Sequence, residues 1–138
     1  MSTVFTVGVF DLFHYGHKEL FRRAKELAGP DGKLIVAIQD EDSILKYKPE
    51  AIIIYTMQER VEMVKQCRYV DRVVPYTDVD KIVQELDFDI FILGEDQTYA
   101  GFQKAEQYCL EQRRKVVRLP RTQGVSATTL RERLKNLK

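Results

Sequence analysis

The 138-residue sequence has few cysteines, no surplus of either charge and no apolar run long enough to span a membrane. Cys67 and Cys109 are isolated and lack metal-ligand spacing, so we expect two free thiols rather than a disulfide. Lys and Arg number 22 against 21 Asp and Glu, and this balance argues against nucleic acid as a partner. The N-terminus lacks the pattern of a signal peptide, so we expect a cytoplasmic protein without a membrane partner.

Short apolar runs alternate with helical patterns along the whole chain. The apolar runs predict five strands, at Thr3–Val9, Lys33–Gln39, Tyr69–Pro75, Asp89–Leu93 and Lys115–Leu119. Helical periodicity and capping signals predict helices at His17–Leu27, Asp40–Leu45, Thr56–Gln66, Asp78–Leu86, Gly101–Arg113 and Ala127–Leu137. For Ile52–Tyr55 the sequence is compatible both with a further strand and with an apolar loop anchor.

This alternation predicts one domain over residues 1–138 of the α/β class, a doubly wound five-stranded parallel sheet with helices on both faces. Ligands of such sheets bind beyond the carboxyl ends of the strands, near the point where the strand order reverses. The first, fourth and fifth strands end near Gly8, Gly94 and Pro120. The residues that follow these three ends should therefore converge on one crevice.

The strongest local signal is His14-Tyr15-Gly16-His17, where the first strand gives way to a helix. Residues three apart share a helix face, so these imidazoles, the only two in the chain, could contact one ligand. A helix N-terminus attracts phosphate, and imidazole donors there would stabilise charge on a pentacoordinate phosphorus. Asp11 could orient a histidine or cap the helix. The alternatives are two half-buried structural histidines, or a zinc site that lacks a third nearby ligand.

A second candidate anion site is the segment RTQGVSATT, from Arg121 to Thr129. Arg121 could bind phosphate as a bidentate fork, and Ser126 suits the N-cap of the last helix. A capped helix after an ordinary polar loop is the alternative interpretation.

Further charged side chains follow the second and fourth strands. Lys46 and Lys48 lie in a predicted Pro-containing loop that could close over a triphosphate. Arg60 could act similarly, or merely pair with Glu59 or Glu62. Glu95 and Asp96 follow Gly94 and could hold an acceptor, a ribose or a metal, with solvated loop acids as the alternative.

Taken together, GVFDLFHYGH, KYK, ERVEMVKQCRYVDRVVP, ILGED and RTQGVSAT resemble, in that order, the cytidylyltransferase family, and most closely its members that act on glycerol 3-phosphate. The resemblance implies a Rossmann-like fold and transfer of CMP from CTP to a phosphorylated alcohol, giving a CDP-alcohol and pyrophosphate. It also implies Mg²⁺ bound mainly through the CTP phosphates, no metal site formed by the protein itself, and a homodimer. The acceptor phosphate attacks the α-phosphorus directly, so no residue need act as a nucleophile.

The resemblance also implies roles for individual residues. It assigns catalysis to His14, His17, Lys46 and Arg121, acceptor binding to Asp11, Lys81 and Glu95, and a dimer interface to the Arg68–Asp71 region. The nucleotide-binding residues it implies are Val9, Phe10, Asp11, His14, Tyr15, Gly16, His17, Lys46, Gly94, Asp96, Arg121, Thr122, Gly124, Val125, Ser126 and Thr128.

Departures from the family pattern fall mostly on the acceptor side. The chain has no tryptophan, Ile82 stands where the glycerol-phosphate enzymes have an acceptor-binding lysine, and Lys81 is adjacent. The loop before Arg60 is longer, and Ala127 replaces a threonine. Glycerol 3-phosphate is the first choice of acceptor, with other polyol or amino-alcohol phosphates open. An adenylyltransferase and a non-catalytic nucleotide-binding module are the alternative functions.

Overall fold

A computed structural model of the protein describes residues 2–11, 14–95 and 97–120. Its strands are β1 Thr3–Gly8, β2 Lys33–Gln39, β3 Arg72–Tyr76, β4 Ile90–Gly94 and β5 Lys115–Leu119. Its helices are α1 Tyr15–Ala28, α2 Glu41–Tyr47, α3 Met57–Lys65, α4 Val79–Glu85 and α5 Ala100–Glu111. No helix in these ranges is both long and apolar enough to cross a membrane.

The five strands form one parallel sheet in the order β3-β2-β1-β4-β5. Strand β1 is central and pairs with β2 from Thr3 opposite Lys33 to Gly8 opposite Ile38. The chain moves outward from β1 to β3 and then returns to β4 on the other side of β1. The strand order therefore reverses between β1 and β4, which is where a ligand is expected.

Helices cover both faces of the sheet, because alternate strand residues point to opposite sides. Phe5 and Val7 of β1 belong to the apolar cluster shared with α4 and α5. Val4 belongs to the opposite cluster, with Phe21 of α1 and Val64 of α3. Burial on both faces explains why the central strands are almost entirely apolar. The predicted doubly wound, Rossmann-like α/β fold is confirmed.

Most element boundaries agree with the sequence prediction. Strands β2 and β5 have the predicted bounds, and α3 begins after the predicted capping box, in which Thr56 Oγ1 accepts from Glu59 N. Strand β3 begins at Arg72 rather than Tyr69, because Val70 N donates to Cys67 O and closes a turn before it. Cys67 and Cys109 are free thiols, as expected.

The prediction of a loop at Lys46 was wrong. Helix α2 continues to Tyr47, so Lys46 lies in its last turn. Ile52–Tyr55 forms neither helix nor strand, so the segment is a loop and not a further strand. Because Ile52 is 76% exposed and Ile54 is 53% exposed, these two side chains do not anchor the loop in the core. The predicted last helix, Ala127–Leu137, lies outside the described residues.

Candidate functional site

A cavity of about 860 Å³ opens at the carboxyl ends of β1 and β4, where the topology predicts a ligand. One part of its lining, here called the histidine side, comes from the β1–α1 turn, helix α1 and the end of β5. It comprises Val9, His14, His17, Arg23, Leu119 and Pro120. A second part, here called the aromatic side, comprises Tyr47, Lys48, Ile53, Asp80, Tyr99 and Phe102.

The two histidines cap helix α1. His14 is the N-cap residue, and its Nδ1 accepts a hydrogen bond from Gly16 N at 3.0 Å. His17 lies three residues later, and its Nδ1 accepts from His14 N at 3.3 Å. The pair thus forms a reciprocal capping box, a role usually taken by Ser or Thr with Glu or Gln. The prediction that Asp11 caps this helix was wrong.

These hydrogen bonds determine the tautomer of both imidazoles. A neutral imidazole carries one N–H, and a nitrogen that accepts a backbone N–H cannot carry it. Each ring therefore carries its proton on Nε2. The rings stack with centroids 3.8 Å apart and planes 21° apart, so the two Nε2–H donors belong to adjacent, nearly parallel rings at the edge of the cavity. The helix N-terminus adds its positive dipole end, and the whole arrangement suits an anion.

Both imidazoles are neutral near pH 7. Burial lowers the pKa of His14. The pKa of His17 falls to about 3, mainly through burial and secondarily through the neighbouring His14, while the Asp11 carboxylate acts in the opposite direction. The pair consequently offers hydrogen-bond donors to an incoming phosphate without carrying positive charge beforehand.

Phe10 holds His17 from the other side. Its ring meets the His17 ring edge-on, at 5.2 Å and 85°. This position depends on a left-handed backbone, with φ +53° at Phe10, which is uncommon for a side chain of this size. It also depends on Gly8, because a Cβ there would lie 2.8 Å from Phe10 Cζ. The sequence placed Phe10 beside the nucleotide through its backbone, but did not reveal this role of its ring.

Gln97 connects the two strands that flank the cavity, and the sequence analysis did not select it. Its Oε1 accepts from Gly94 N at 2.7 Å, and its Nε2 donates to Val7 O at 3.0 Å. Arg118 supports the same turn by donating to Gly94 O and Gln97 O, both at 3.2 Å. The only sequence signal that could have pointed to Gln97 is its position three residues after a glycine that ends a strand.

Arg60 does not pair with Glu59 or Glu62, nor does it face the cavity. It is 1% exposed, and its Nη1 donates to Val9 O at 3.0 Å and to Gln39 O at 2.8 Å. Its spacing of four residues from Val64, which is fully buried, was the signal for a buried helix face. A different arginine, Arg23, reaches the cavity from α1.

The structure brings several predicted site residues together in the cavity lining: Val9, Phe10, Asp11, His14, Gly16, His17 and Gly94. Asp11 lies there with both carboxylate oxygens bonded to the backbone of another segment. A further group lies outside the described residues, so its predicted roles stay predictions. This group comprises Asp96, Arg121, Thr122, Gly124, Val125, Ser126 and Thr128.

Four predicted residues do not line the cavity. Tyr15 is 55% exposed, and Glu95 is also exposed. The Lys46 ammonium lies 5.6 Å from the Tyr47 ring centroid, while Lys81 pairs with Asp78 at 3.4 Å on the exposed side of α4. Their sequence neighbours Lys48 and Asp80 reach the lining in place of Lys46 and Lys81.

The Arg68–Asp71 segment lies at the opposite edge of the sheet. The Asp71 carboxylate accepts from Leu34 N at 2.8 Å and from Lys25 Nζ at 2.5 Å, and Leu34 is near the start of β2. Parallel strands share their amino ends, so this segment is remote from the cavity. Its predicted role in a dimer interface is untested by these contacts.

The fold and the site together define a class: an α/β protein with paired histidines in a cavity at the switch point of its sheet. The family model described as cytidylyltransferase-like matches residues 5–133. The chain belongs to the cytidylyltransferase-like family.

Individual relatives agree with this assignment. The chain is 36% identical to a glycerol-3-phosphate cytidylyltransferase of Staphylococcus aureus, over 97% of this chain and 96% of the relative. It is 34% identical to an FAD synthase of Korarchaeum cryptofilum, over 95% of this chain and 90% of the relative. Among solved structures, a lipopolysaccharide core biosynthesis protein of Thermoplasma volcanium superimposes with a TM-score of 0.70 at 26% identity, covering 87% of this chain and 97% of that one.

Proposed function

We propose that this protein is a CTP-dependent cytidylyltransferase, which transfers CMP from CTP to a phosphorylated alcohol and releases pyrophosphate. The observation that carries the proposal is the stacked pair His14 and His17 at the cavity, with both Nδ1 atoms bonded to the backbone, so that each ring carries its proton on Nε2. Membership of the cytidylyltransferase-like family and the similarity to a glycerol-3-phosphate cytidylyltransferase support the choice of CTP and of a phosphorylated alcohol.

The reaction needs positioning and charge stabilisation more than it needs a protein nucleophile. A phosphate oxygen of the acceptor attacks the α-phosphorus, and the bond from the α-phosphorus to the bridging oxygen breaks. Pyrophosphate leaves with the electron pair of that bond. Negative charge builds on the phosphoryl oxygens during transfer, and fixed N–H donors at His14 and His17 stabilise it without needing to reorient.

The two sides of the cavity suggest how the substrates divide it. The histidine side includes the end of β5, next to the RTQGVSAT segment, so we assign the nucleotide to this side. The aromatic side is then left for the acceptor. Lys48 can approach the acceptor phosphate from there, because its ammonium lies 5.4 Å from the exposed Tyr99 ring rather than in a buried ion pair. Glycerol 3-phosphate remains the first choice of acceptor.

We propose that Mg²⁺ enters with CTP, bound mainly through the phosphates. No group of three or more His, Cys, Asp or Glu in residues 2–11, 14–95 and 97–120 could hold a metal ion, whereas a triphosphate offers the oxygen ligands that Mg²⁺ prefers. Bound there, the metal would neutralise part of the triphosphate charge. A homodimer, a cytoplasmic location and a role in making a surface polymer such as teichoic acid, or a lipid head group, are further proposals that the resemblance suggests.

A matrix of substrates tests the proposed activity. Pyrophosphate release should be measured with CTP or ATP against glycerol 3-phosphate, other polyol phosphates, ethanolamine phosphate, choline phosphate and FMN, with the product identified by mass spectrometry. We expect a CDP-alcohol and pyrophosphate to form in equal amounts when CTP is the nucleotide, and no product with ATP. Strict use of ATP, with FMN as acceptor, would instead support an adenylyltransferase, an alternative to which the similarity to an FAD synthase gives only weak support. Binding of CTP without turnover of any acceptor would indicate a non-catalytic module.

A further inference from the structure

The carboxylate of Asp11 bonds to a segment distant in the sequence. Its Oδ2 accepts from Ile54 N at 2.7 Å, and its Oδ1 accepts from Tyr55 N at 2.9 Å. The side chain is nearly buried, at 8% exposed. Hydrogen bonds to an ionised acceptor in such surroundings are among the strong ones in proteins. Asp11 therefore links the turn that carries the histidines to the backbone just before α3.

The segment that Asp11 binds forms part of the cavity wall. Ala51, Ile52 and Ile53 line the cavity, although residues 51–55 belong to no helix or strand. Packing covers this segment only in part, since Ile52 is 76% exposed and Ile54 is 53% exposed, whereas Ala51, Ile53 and Tyr55 are half-buried. A segment without a sheet or helix partner and with partial burial depends on its hydrogen bonds for order. The two bonds to Asp11 contribute to this order, together with the bond from Ala51 N to Lys48 O at 3.0 Å.

The buried Arg60 fixes the backbone two residues before Asp11. The Arg60 guanidinium fixes the carbonyls of Val9 and Gln39, which lie at the ends of β1 and β2. Its Nε and Nη2 have no hydrogen-bond partner in the described part of the chain. Burial lowers the pKa of Arg60, and the Asp11 carboxylate is the largest influence in the opposite direction.

We propose that Asp11 is a positioning residue: its carboxylate holds Ile54–Tyr55 and thereby sets Ala51–Ile53 as the wall on which the acceptor rests. This inference rests on the proposed function, which assigns the acceptor to the aromatic side. Under this proposal Asp11 acts through the wall, and not through the direct contacts with nucleotide and acceptor that the resemblance implies. We expect a selective consequence, because the wall is assigned to the acceptor and the two histidines are positioned by their own bonds to the backbone of α1 and its cap.

Steady-state kinetics and CTP calorimetry on two independent variants test the proposal. Asp11→Asn replaces one carboxylate oxygen, which accepts a hydrogen bond, by an amide NH₂. The NH₂ group then faces a backbone N–H, and two donors cannot form a hydrogen bond. Ile54→Pro removes one of those N–H groups instead. Each change should raise the KM for the acceptor by roughly tenfold, the loss expected for one charge-assisted hydrogen bond, and leave the Kd for CTP within about twofold. The double variant should be little worse than either single one, because both break the same link.

Two matched variants serve as controls. Ile54→Ala keeps the N–H and removes only an exposed side chain, while Glu50→Gln removes an exposed negative charge just before the segment. Both should keep the acceptor KM of the wild-type protein. If Asp11→Asn does not fold, Ile54→Pro against Ile54→Ala still tests the link.

Two results would overturn the proposal: additive effects in the double variant, or an equal rise in the acceptor KM and the CTP Kd. These outcomes are distinct from failure of the proposed function, in which the wild-type protein itself forms no CDP-alcohol.

Discussion

Each histidine of the site uses its two ring nitrogens for different tasks. The Nδ1 atoms of His14 and His17 accept backbone N–H groups and build the first turn of α1. The Nε2 atoms carry the ring protons, and we propose that they donate to phosphate. One pair of side chains thus both begins the helix and provides its ligand-binding groups, which ties the position of the donors to the helix itself.

This division of tasks predicts different outcomes for two substitutions at His14. Asparagine places its carbonyl oxygen near the position of Nδ1 and remains a good N-cap, whereas glutamine can place an amide N–H near the position of Nε2. His14→Asn should therefore fold with nearly normal stability and lose about two or more powers of ten in kcat. His14→Gln should lose helix-capping stability but retain more turnover. Thermal unfolding and pyrophosphate release measure both, and the opposite ranking would refute the assignment.

The lowered pKa values of the histidines predict a pH-dependent stability. The pKa of His17 is about 3 in the folded protein, against about 6.5 in the unfolded chain. Between these values the unfolded chain binds more protons, so the free energy of unfolding must fall as the pH falls. The slope from His17 approaches about 1.4 kcal/mol per pH unit, and His14 contributes in the same direction.

Urea unfolding between about pH 6.5 and 5, above the range where most carboxylates titrate, measures this slope. His17→Gln should reduce it, because glutamine does not titrate. An equal slope in the wild type and the variant would show that the His17 imidazole is charged in the folded protein.

At the residue scale, the sequence was sufficient to select side chains of the candidate site, but it did not reveal the contacts that these side chains make. His14 and His17 follow directly from a spacing of three at a strand–helix junction. The edge contact of Phe10 with His17 depends on a left-handed φ, and Asp11 finds its partners 43 and 44 residues away. Neither feature produces a local pattern, so only the folded chain reveals them.

At the scale of elements, Gln97 holds the cavity-side ends of β1 and β4 together. Gln97→Glu keeps an acceptor for Gly94 N but cannot donate to Val7 O. We expect a KM for CTP about tenfold higher, because two like-charged oxygens then face each other near the triphosphate. The KM follows from steady-state kinetics at saturating acceptor.

Gln103→Glu is the matched control for this substitution. Gln103 is exposed and donates to Thr98 O at 3.0 Å, outside the cavity. The change should leave the CTP KM unaltered. An equal effect of both substitutions would show that added charge, rather than the lost bridge, is responsible.

Elements bounded by strong local signals were predicted best. Strand β2 follows the turn signal AGPDG, and Thr56 with Glu59 marks the start of α3. The stretch between α2 and α3 has neither a helical nor a strand period. Its conformation depends on Asp11, so the sequence left it open between a strand and a loop anchor.

At the scale of the whole molecule, the two ends of the sheet have different surroundings. The cavity occupies the carboxyl end, whereas Arg68 and Tyr69 lie near the amino end, where Arg68 Nη2 donates to Tyr69 Oη at 2.8 Å. A dimer formed through the Arg68–Asp71 segment would therefore leave the cavity open to substrates.

Sedimentation tests that dimer. The wild-type protein should sediment at about twice 16.2 kDa. Arg68→Glu should shift it toward the monomer with little change in CTP affinity, because the substituted side chain is exposed and distant from the cavity. Lys65→Glu, a similar charge reversal on α3, is the control. A wild-type monomer at every concentration, or a dimer that Arg68→Glu leaves intact, would contradict the expected interface.

The central claim is that His14 and His17 are neutral and carry their protons on Nε2, ready to bind the triphosphate. Long-range ¹H–¹⁵N NMR of the imidazoles near pH 7, before and after addition of CTP, measures this directly. We predict unprotonated Nδ1 and protonated Nε2 in both rings of the free protein, with CTP shifting the Nε2 signals. A protonated Nδ1 on either ring of the free protein, or Nε2 signals unmoved by saturating CTP, would contradict the account.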